Sequence, residues 1–489
     1  MSSLQNDVMS ITNLLTDDQS VDLQYSSRNL STLLPLPFQG ASVTFDLLSL
    51  DREWTEWNNA WLALPITVTP QANAFSESPV VAFKASILSM IRGFEVKTSG
   101  GQTVCSETNG ATTFASHLRM MLQNNNDWSL GTAPSLMYSK DRAPPGVPSG
   151  LFSKGNIQNP KTAKYTAAPD DKTNADNPVC NLGFMERNAA LLDSTFGLDG
   201  SYVADKKAGF NTTLNIPLRY ISDFFASLDF PIINSRFQIT FHLNTTNAAS
   251  SYSPMCMGTT LAGSKETGAA PVINITAGSQ PLLYYYKVSF ATLQAELVAK
   301  RLLTNFRKTI VYTQTDIDYT QTNVASTSLF QRTVATAVNA PKRVWILSYP
   351  TGVVNSVDWP SPLVTGATTG LTNVNVTVNG TKYLSNNLNS LSEQYAALCS
   401  AMAPNGMNGE ANQMISFGDF CKTYRLICLD ISRSGNRQFD PNAPVNLLVE
   451  AAPSTNTAAD IIYLVEREMK VHLTFGATPV VVEIGPNST

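Results

Sequence analysis

The sequence predicts an all-β protein made of two β-sandwiches in tandem, and three observations lead there. Short segments of alternating apolar and polar residues, bounded by Pro, Gly and Asn, recur along the chain, a pattern of sandwiches and barrels. The pattern starts afresh after residue 306, giving two strand sets of comparable length. A chain of 489 residues is also too long for a single core.

Composition narrows the class further. Hydrophobic residues make up 43% of the chain and mean hydropathy is -0.06, ordinary values for a soluble globular protein. Charge is the outlier: Asp, Glu, Lys and Arg reach only 14%, against roughly a quarter on average. Ser, Thr and Asn take their place. Such a surface hydrogen-bonds well and repels neighbours weakly, which suits packing against copies of itself. The net charge of -4, with Lys206-Lys207 and Arg307-Lys308 as the densest basic pairs, argues against direct wrapping of DNA. Cysteines stand alone at 105, 180, 256, 399, 421 and 428, without the CxxC spacing of zinc sites. Buried free thiols fit them better than a disulfide framework. The start, MSSLQNDVMS, lacks a signal-peptide pattern, and no run approaches the ~20 apolar residues of a membrane span. Synthesis and retention in a reducing compartment are expected.

Residues 1–40 form an N-terminal arm in this reading. Val8, Ile11, Leu14 and Leu15 lie at helical spacing within residues 1–20, which fits a marginal amphipathic helix or a frayed tail equally well. The first sandwich spans 41–306. Val43, Phe45 and Leu47 alternate, then Leu62, Leu64, Ile66 and Val68 form a second run ended by Pro70. Trp54, Trp57 and Trp61 are spaced three and four apart, and fit the packed edge of a core better than a sugar-stacking platform. Phe83 to Met90 is a buried element. Gly93 to Lys97 leads into Ser99-Gly100-Gly101, a hairpin signal. Thr112 to Leu122 has apolar residues at 114, 118, 121 and 122 and predicts a short helix. Residues 124–213 are Asn-, Pro-, Lys- and Gly-rich and read as a long insertion.

The stretch Asn215 to Leu243 packs three signals together. Ile216-Pro217-Leu218 is extended, because the residue before proline avoids the helical region. Ile221, Phe224, Phe225 and Leu228 follow at helical spacing until Phe230-Pro231 breaks the run. From Arg236 the period is two: Phe237, Ile239, Phe241 and Leu243 face one way, and Gln238, Thr240 and His242 the other. A loop over 244–278 precedes a dense strand, Leu282 to Phe290, and a helix over Thr292 to Phe306 that marks the boundary.

The second sandwich spans 307–489. Its predicted strands are Thr309 to Tyr319, Phe330 to Val338, Val344 to Tyr349 after the turn Ala340-Pro341-Lys342-Arg343, and Val374 to Val378. Asn379-Gly380 then predicts a type I′ turn. A helix over Leu388 to Met402 is followed by strands at Phe420 to Asp430, Asn446 to Ala451, Ile461 to Val465, Met469 to Phe475 and Pro479 to Ile484.

Several of these motifs resemble a known family in the right order. The Pro-Leu lead-in, the short Phe-rich helix and the Pro-Ile-x-Asn-x-Arg-Phe strand of 217–237 resemble the late part of the first jelly roll in double jelly-roll major capsid proteins, those of polinton-like viruses, virophages and their relatives. The hairpin and Leu-rich helix of 93–122 occupy the place they hold there. Asn339-Ala340-Pro341-Lys342-Arg343-Val344 and Leu429-Asp430-Ile431-Ser432-Arg433 are similar to second-jelly-roll motifs. The long insertion at 124–213 departs from the pattern. The resemblance implies two jelly rolls of about eight antiparallel strands each, braced by helices such as Ile221–Leu228 and 293–306. It further implies a homotrimer forming a pseudo-hexagonal capsomer, with six sandwiches per trimer. Such trimers tile an icosahedral virion shell around a double-stranded DNA genome. Its partners would be neighbouring trimers, penton and other minor capsid proteins, and an inner membrane or minor proteins along the N-terminal arm. Sequence-specific nucleic-acid binding is not expected. The long insertions would form the outer face.

A search for chemistry assigns no catalytic, cofactor-binding or metal residues. The three histidines, His117, His242 and His472, lie apart without acidic neighbours, and nucleophile-elbow and phosphate-loop motifs are missing. Asp316 and Asp318 share a strand face, which fits a cation site or a plain polar surface. Asn29, Asn211, Asn244, Asn274, Asn375, Asn379 and Asn487 begin Asn-x-Ser/Thr triplets, best explained by chance in so Asn-rich a chain. The competing reading is a secreted carbohydrate-binding or adhesin-type tandem sandwich, which predicts a signal peptide and disulfides. A glycan-degrading enzyme would need paired carboxylates in one groove.

Overall fold

In the computed structural model, the described residues are 25–37, 41–47, 53–70, 81–98, 100–124, 126–142, 181–197, 206–233, 237–245, 252–257, 270–290, 296, 308–322, 329–357, 359–365, 369–402, 415–432, 444–454, 459–474 and 480–484. The pattern predicted over 1–20 lies outside them, as does that over 292–306 apart from residue 296.

The first half supplies β1 (Tyr25–Leu33), β2 (Ser42–Asp46), β3 (Trp54–Thr69), β4 (Val81–Phe83), β5 (Ile91–Thr98), β6 (Thr103–Glu107), β7 (Phe196–Gly197), β8 (Phe210–Pro217), β9 (Ile232–Ile233), β10 (Phe237–Leu243), β11 (Met255–Met257), β12 (Val272–Ile275) and β13 (Leu282–Phe290). One sheet runs β1-β13-β3-β8-β7, with β12 and β9 also on β3, a second runs β2-β10-β5-β6, and β4 and β11 form a two-stranded third. All pairs are antiparallel. The period-two reading of β10 holds along the strand, with Phe237, Ile239, Phe241 and Leu243 buried. Phe241 meets Phe45 of its neighbour β2 edge-on, at 6.2 Å between ring centroids. β3 is the spine of its sheet. Its second neighbour changes from β13 to β12 between Ala63 and Ile66, and Pro65, which has no N–H to give, falls in that interval.

Three predictions for this half need correction. Tyr25–Leu33, placed in the N-terminal arm, is an edge strand paired with β13 along its length. The insertion at 124–213 is not all loop: it holds α-helices at Asn126–Gly131 and Leu182–Asp193, whose buried residues include Phe184, Arg187 and Leu191. Polar residues outside its buried face hid the second helix from a reading based on apolar spacing. The Phe-rich helix is two single turns, Leu218–Ile221 and Asp223–Ala226, with Ser222 extended between them and capping the second.

The second half supplies β14 (Lys308–Thr322), β15 (Phe330–Val338), β16 (Pro341–Pro350), β17 (Leu371–Val378), β18 (Thr381–Lys382), β19 (Ile427–Asp430), β20 (Val445–Pro453), β21 (Ala459–Thr474) and β22 (Val480–Ile484). Its sheets run β14-β21-β16-β19, with β22 on β21, and β15-β20-β17-β18. Asn379 and Gly380 both have positive φ, 48° and 83°, as a type I′ turn requires. β21 is one strand of 16 residues where two were predicted. The polar break at Glu466-Arg467-Glu468 is absorbed by ion pairs, Glu466 with Arg343 at 3.2 Å and Arg467 with Asp316 at 3.1 Å. Phe420 to Asp430 is likewise not a single strand. Phe417–Lys422 is helical, started by a capping box between Ser416 and Asp419, and the strand begins at Ile427.

Among the described residues, strands before 291 hydrogen-bond to one another, as do those from 308 onward. The two sets are joined by packing. Alternate residues of β16 and β21 serve different cores. Val344, Ile346, Ile461, Tyr463 and Val465 belong to a cluster within the second sandwich. Trp345, Leu347, Tyr349, Ile462 and Leu464 belong to the cluster that fills the first sandwich. This sheet is covered on both faces, which is why VWILSY reads as an unbroken apolar run.

Candidate functional site: the junction between the sandwiches

Among the described residues no group of three or more His, Cys, Asp and Glu side chains is placed to hold a metal. His117 is buried in the helix Ala111–Gln123, with Nε2 2.9 Å from Ser86 Oγ and Nδ1 2.6 Å from Thr113 O, and burial pulls its imidazole down to about 4. His242 sits on the polar face of β10, 2.9 Å from Ser42 Oγ, and His472 lies in β21. Asp316 and Asp318 each meet an arginine, Arg467 at 3.1 Å and Arg332 at 3.3 Å. The chain therefore supplies the cations itself. Cys105, Cys256 and Cys428 are buried free thiols, and burial pushes all three up, away from reactivity. Asn244 and Asn375, two of the triplet asparagines, are buried.

The tryptophan trio divides. Trp54 and Trp57 are buried, Trp57 stacked on Tyr285 at 5.4 Å. Trp61 lies half-buried against Tyr284, 5.0 Å away and near parallel.

The polar residues that do converge lie between the sandwiches. Lys84, fully buried, donates Nζ to Val354 O at 2.9 Å and stands 4.6 Å from the centre of the Tyr252 ring. Arg187 pairs with Asp141 at 2.8 Å and reaches Pro360 O at 3.3 Å. Asp141 also accepts from Asn181 Nδ2 at 2.7 Å, and its backbone amide donates to Tyr424 Oη at 2.8 Å. Farther along, Glu107 accepts from Arg119 and from the Thr315 amide, and Tyr312 Oη donates to Val104 O. Backbone bonds join the halves as well: Ala85 N to Pro360 O at 3.1 Å and Met257 N to Val357 O at 2.9 Å. Buried charges are expensive unless paired and hydrogen-bonded, so these contacts fix one arrangement of the two sandwiches. The sequence reading singled out none of the five buried charges. The available signal was a lone charge within apolar text, as in VVAFKASIL around Lys84 and SHLRMML around Arg119.

Beside this junction lies a cleft of about 460 Å³, walled by Leu130, Pro134 and Met137 and rimmed by the ion pairs Lys140–Asp419 and Arg142–Glu186.

Two antiparallel sandwiches, each with a four-stranded path β2-β10-β5-β6 or β15-β20-β17-β18 against a second sheet, define an architecture that can be compared as a whole. No protein-family model matches the chain, and no curated protein matches it. Solved structures do match. A chain in the cryo-EM structure of the Sputnik virophage superposes over 95% of this chain and 89% of its own length, with a TM-score of 0.60 at 13% identity. The fold is a double jelly roll. The mavirus major capsid protein matches over 96% of this chain and 94% of that one, at 13% identity and a TM-score of 0.49. The Faustovirus major capsid protein matches over 91% and 90%, at 9% identity and a TM-score of 0.47. The jelly rolls of this double jelly roll are held together by the two-faced sheet of β14, β21, β16 and β19 and by the buried charges described above. Among the described residues no helix is long and apolar enough to cross a membrane.

Proposed function

We propose that the chain is a major capsid protein, its first jelly roll beginning with β1 at Tyr25 and its second with β14 at Lys308. In this reading three copies form a trimer whose six sandwiches approximate a hexagon, and trimers tile an icosahedral shell around a double-stranded DNA genome. The observation that supports it is the end-to-end likeness: both jelly rolls, over 95% of the chain, superpose on a chain of a virus particle at a TM-score of 0.60. The low charge content of 14% favours contacts between copies. Exposed Leu30 and Leu34 in and after the edge strand β1, and exposed Val311 and Phe417, offer apolar area for such contacts. The role is structural, not catalytic. Its partners are neighbouring trimers, penton and other minor capsid proteins, and its place is the virion. The N-terminal arm would meet minor proteins or an inner membrane.

The test is the solution mass of the recombinant protein by light scattering on a sizing column, with negative-stain images of the peak. The expected species has three times the 53.0 kDa chain mass and a hexagonal outline, or is a closed shell. A clean monomer at high concentration would overturn the reading.

A further inference from the structure

The two jelly rolls are built to one plan. The eight principal strands of the first half are β1, β2, β3, β5, β6, β8, β10 and β13, and those of the second are β14 to β21. Taken in chain order, each set forms one sheet as first-eighth-third-sixth and another as second-seventh-fourth-fifth. The sheet β14-β21-β16-β19 therefore has its counterpart in β1-β13-β3-β8. The helix Ala111–Gln123, between the fifth and sixth strands, has its counterpart in the helix Leu391–Met402. These counterparts differ in what covers them. At the junction β14 packs on helix Ala111–Gln123 and on β6, with Tyr312 Oη donating to Val104 O. Trp345, on the third strand and paired with Leu464 on the eighth, faces the first jelly roll and is 1% exposed. Every residue of the helix from Ala111 to Leu122 is buried. The equivalent places lie open in the other jelly roll. Trp61, on the third strand and paired with Tyr284 on the eighth, is half-buried, as are Tyr284 and Tyr286. Leu30 on β1, opposite Tyr286, is 49% exposed. On helix Leu391–Met402, Ser392, Ala396 and Ser400 are exposed at four-residue spacing along one side. The chain thus carries one completed contact of sheet face on helix side, and the two unmatched halves of a second.

We propose that the second contact is made between copies: the β1-β13-β3-β8 face of one chain, around Leu30, Tyr286 and Trp61, docks on the Leu391–Met402 side of the next chain's second jelly roll. The inference rests on the trimer reading and assigns the two faces that a trimer uses. The occupant is a second copy of this chain, because the kind of surface that completes the contact inside the chain is carried, partly open, by its second jelly roll. Bulky side chains on the sheet meet small ones on the helix, which lets the two surfaces approach closely. The two faces differ, so the contact is head-to-tail and each chain offers one of each. A head-to-tail contact closes into a ring when its rotation divides a full turn.

The experiment uses two variants of the full chain, Leu30→Arg on the sheet face and Ala396→Arg on the helix side, both at exposed positions. Light scattering on a sizing column reads the mass of the wild type, of each variant alone and of their equimolar mixture. Each variant alone is expected at the single chain mass of 53.0 kDa, under conditions where the wild type is a trimer. Mixed, they should form a species of twice the chain mass and nothing larger. The Leu30→Arg chain still offers its helix side and the Ala396→Arg chain its sheet face, which leaves one intact contact per pair. Variants that remain trimeric overturn the proposal and leave the capsid reading in place. Variants that are monomeric alone and stay so when mixed overturn the head-to-tail pairing of these faces. If either variant does not fold, the wild type decides by hydrogen exchange of the trimer against the same protein diluted to monomers. Amides of β1 and of helix Leu391–Met402 should both gain protection in the trimer, and unchanged protection in either overturns the proposal. A wild type that is monomeric at high concentration overturns the capsid reading and this proposal together.

Discussion

Arg187 and Asp141 form an ion pair at 2.8 Å with their side chains 0% and 1% exposed, and the same guanidinium reaches across to Pro360 O in the second jelly roll. A pair this dry adds little net stability, because removing both charges from water offsets their attraction. Removing one partner is another matter. Asp141→Asn leaves a buried guanidinium uncompensated and is expected to lower unfolding stability by about 3–5 kcal/mol, measured as a drop in the denaturation midpoint. Replacing both residues by apolar ones of similar volume should cost far less.

Gly183 tests how closely the insertion is docked. A Cβ placed there would lie 2.2 Å from Lys140 O and 2.6 Å from Lys140 C, which are backbone atoms that cannot swing aside. Gly183→Ala is expected to cost about 1–3 kcal/mol despite the better helix propensity of alanine. A stabilised variant in thermal denaturation would show that Leu182–Asp193 does not sit against residues 140 and 141.

Neighbouring positions on β16 should report on different cores. Ile346→Ala and Leu347→Ala each delete a fully buried side chain and are each expected to cost about 2–5 kcal/mol. Hydrogen exchange separates them. Ile346→Ala should loosen amides of β17 and β20 inside the second jelly roll, and Leu347→Ala those at the junction, such as Met257 and Thr315. Identical exchange patterns would contradict the two-faced sheet.

His117 sets an acid limit. Its folded value, pulled down to about 4, lies below the ordinary 6.5, so the unfolded chain takes up the proton first as pH falls. Stability should decline from about pH 6.5 towards 4, by on the order of 3 kcal/mol in all. A His117→Gln variant should flatten that limb.

Much of the fold was legible because its signals are local. The alternation in Phe237 to Leu243, the hairpin around Ser99-Gly100-Gly101 and the Asn379-Gly380 turn each follow from backbone sterics or strand period within a few residues. What escaped had mixed or overruled local signals. β21 runs through three consecutive charged residues because Arg343 and Asp316, far away in the chain, neutralise two of them. Tyr25–Leu33 shows weak alternation and is held as a strand by β13. The helix at Phe417–Lys422 sits in aromatic, strand-like text and is started by its cap.

The sequence by itself determined that the chain is all-β, that it contains two sets of strands, and where most of them begin and turn. Period, proline and glycine act over a handful of residues, and no distant partner is needed to read them. Only the tertiary structure decided which face of β16 and β21 meets which core, and that Lys84, Glu107, Arg119, Asp141 and Arg187 are buried where the jelly rolls meet. The partners of those charges lie up to 283 residues apart, as in Asp141 with Tyr424. The cost of burying a charge is fixed by the groups that surround it in space.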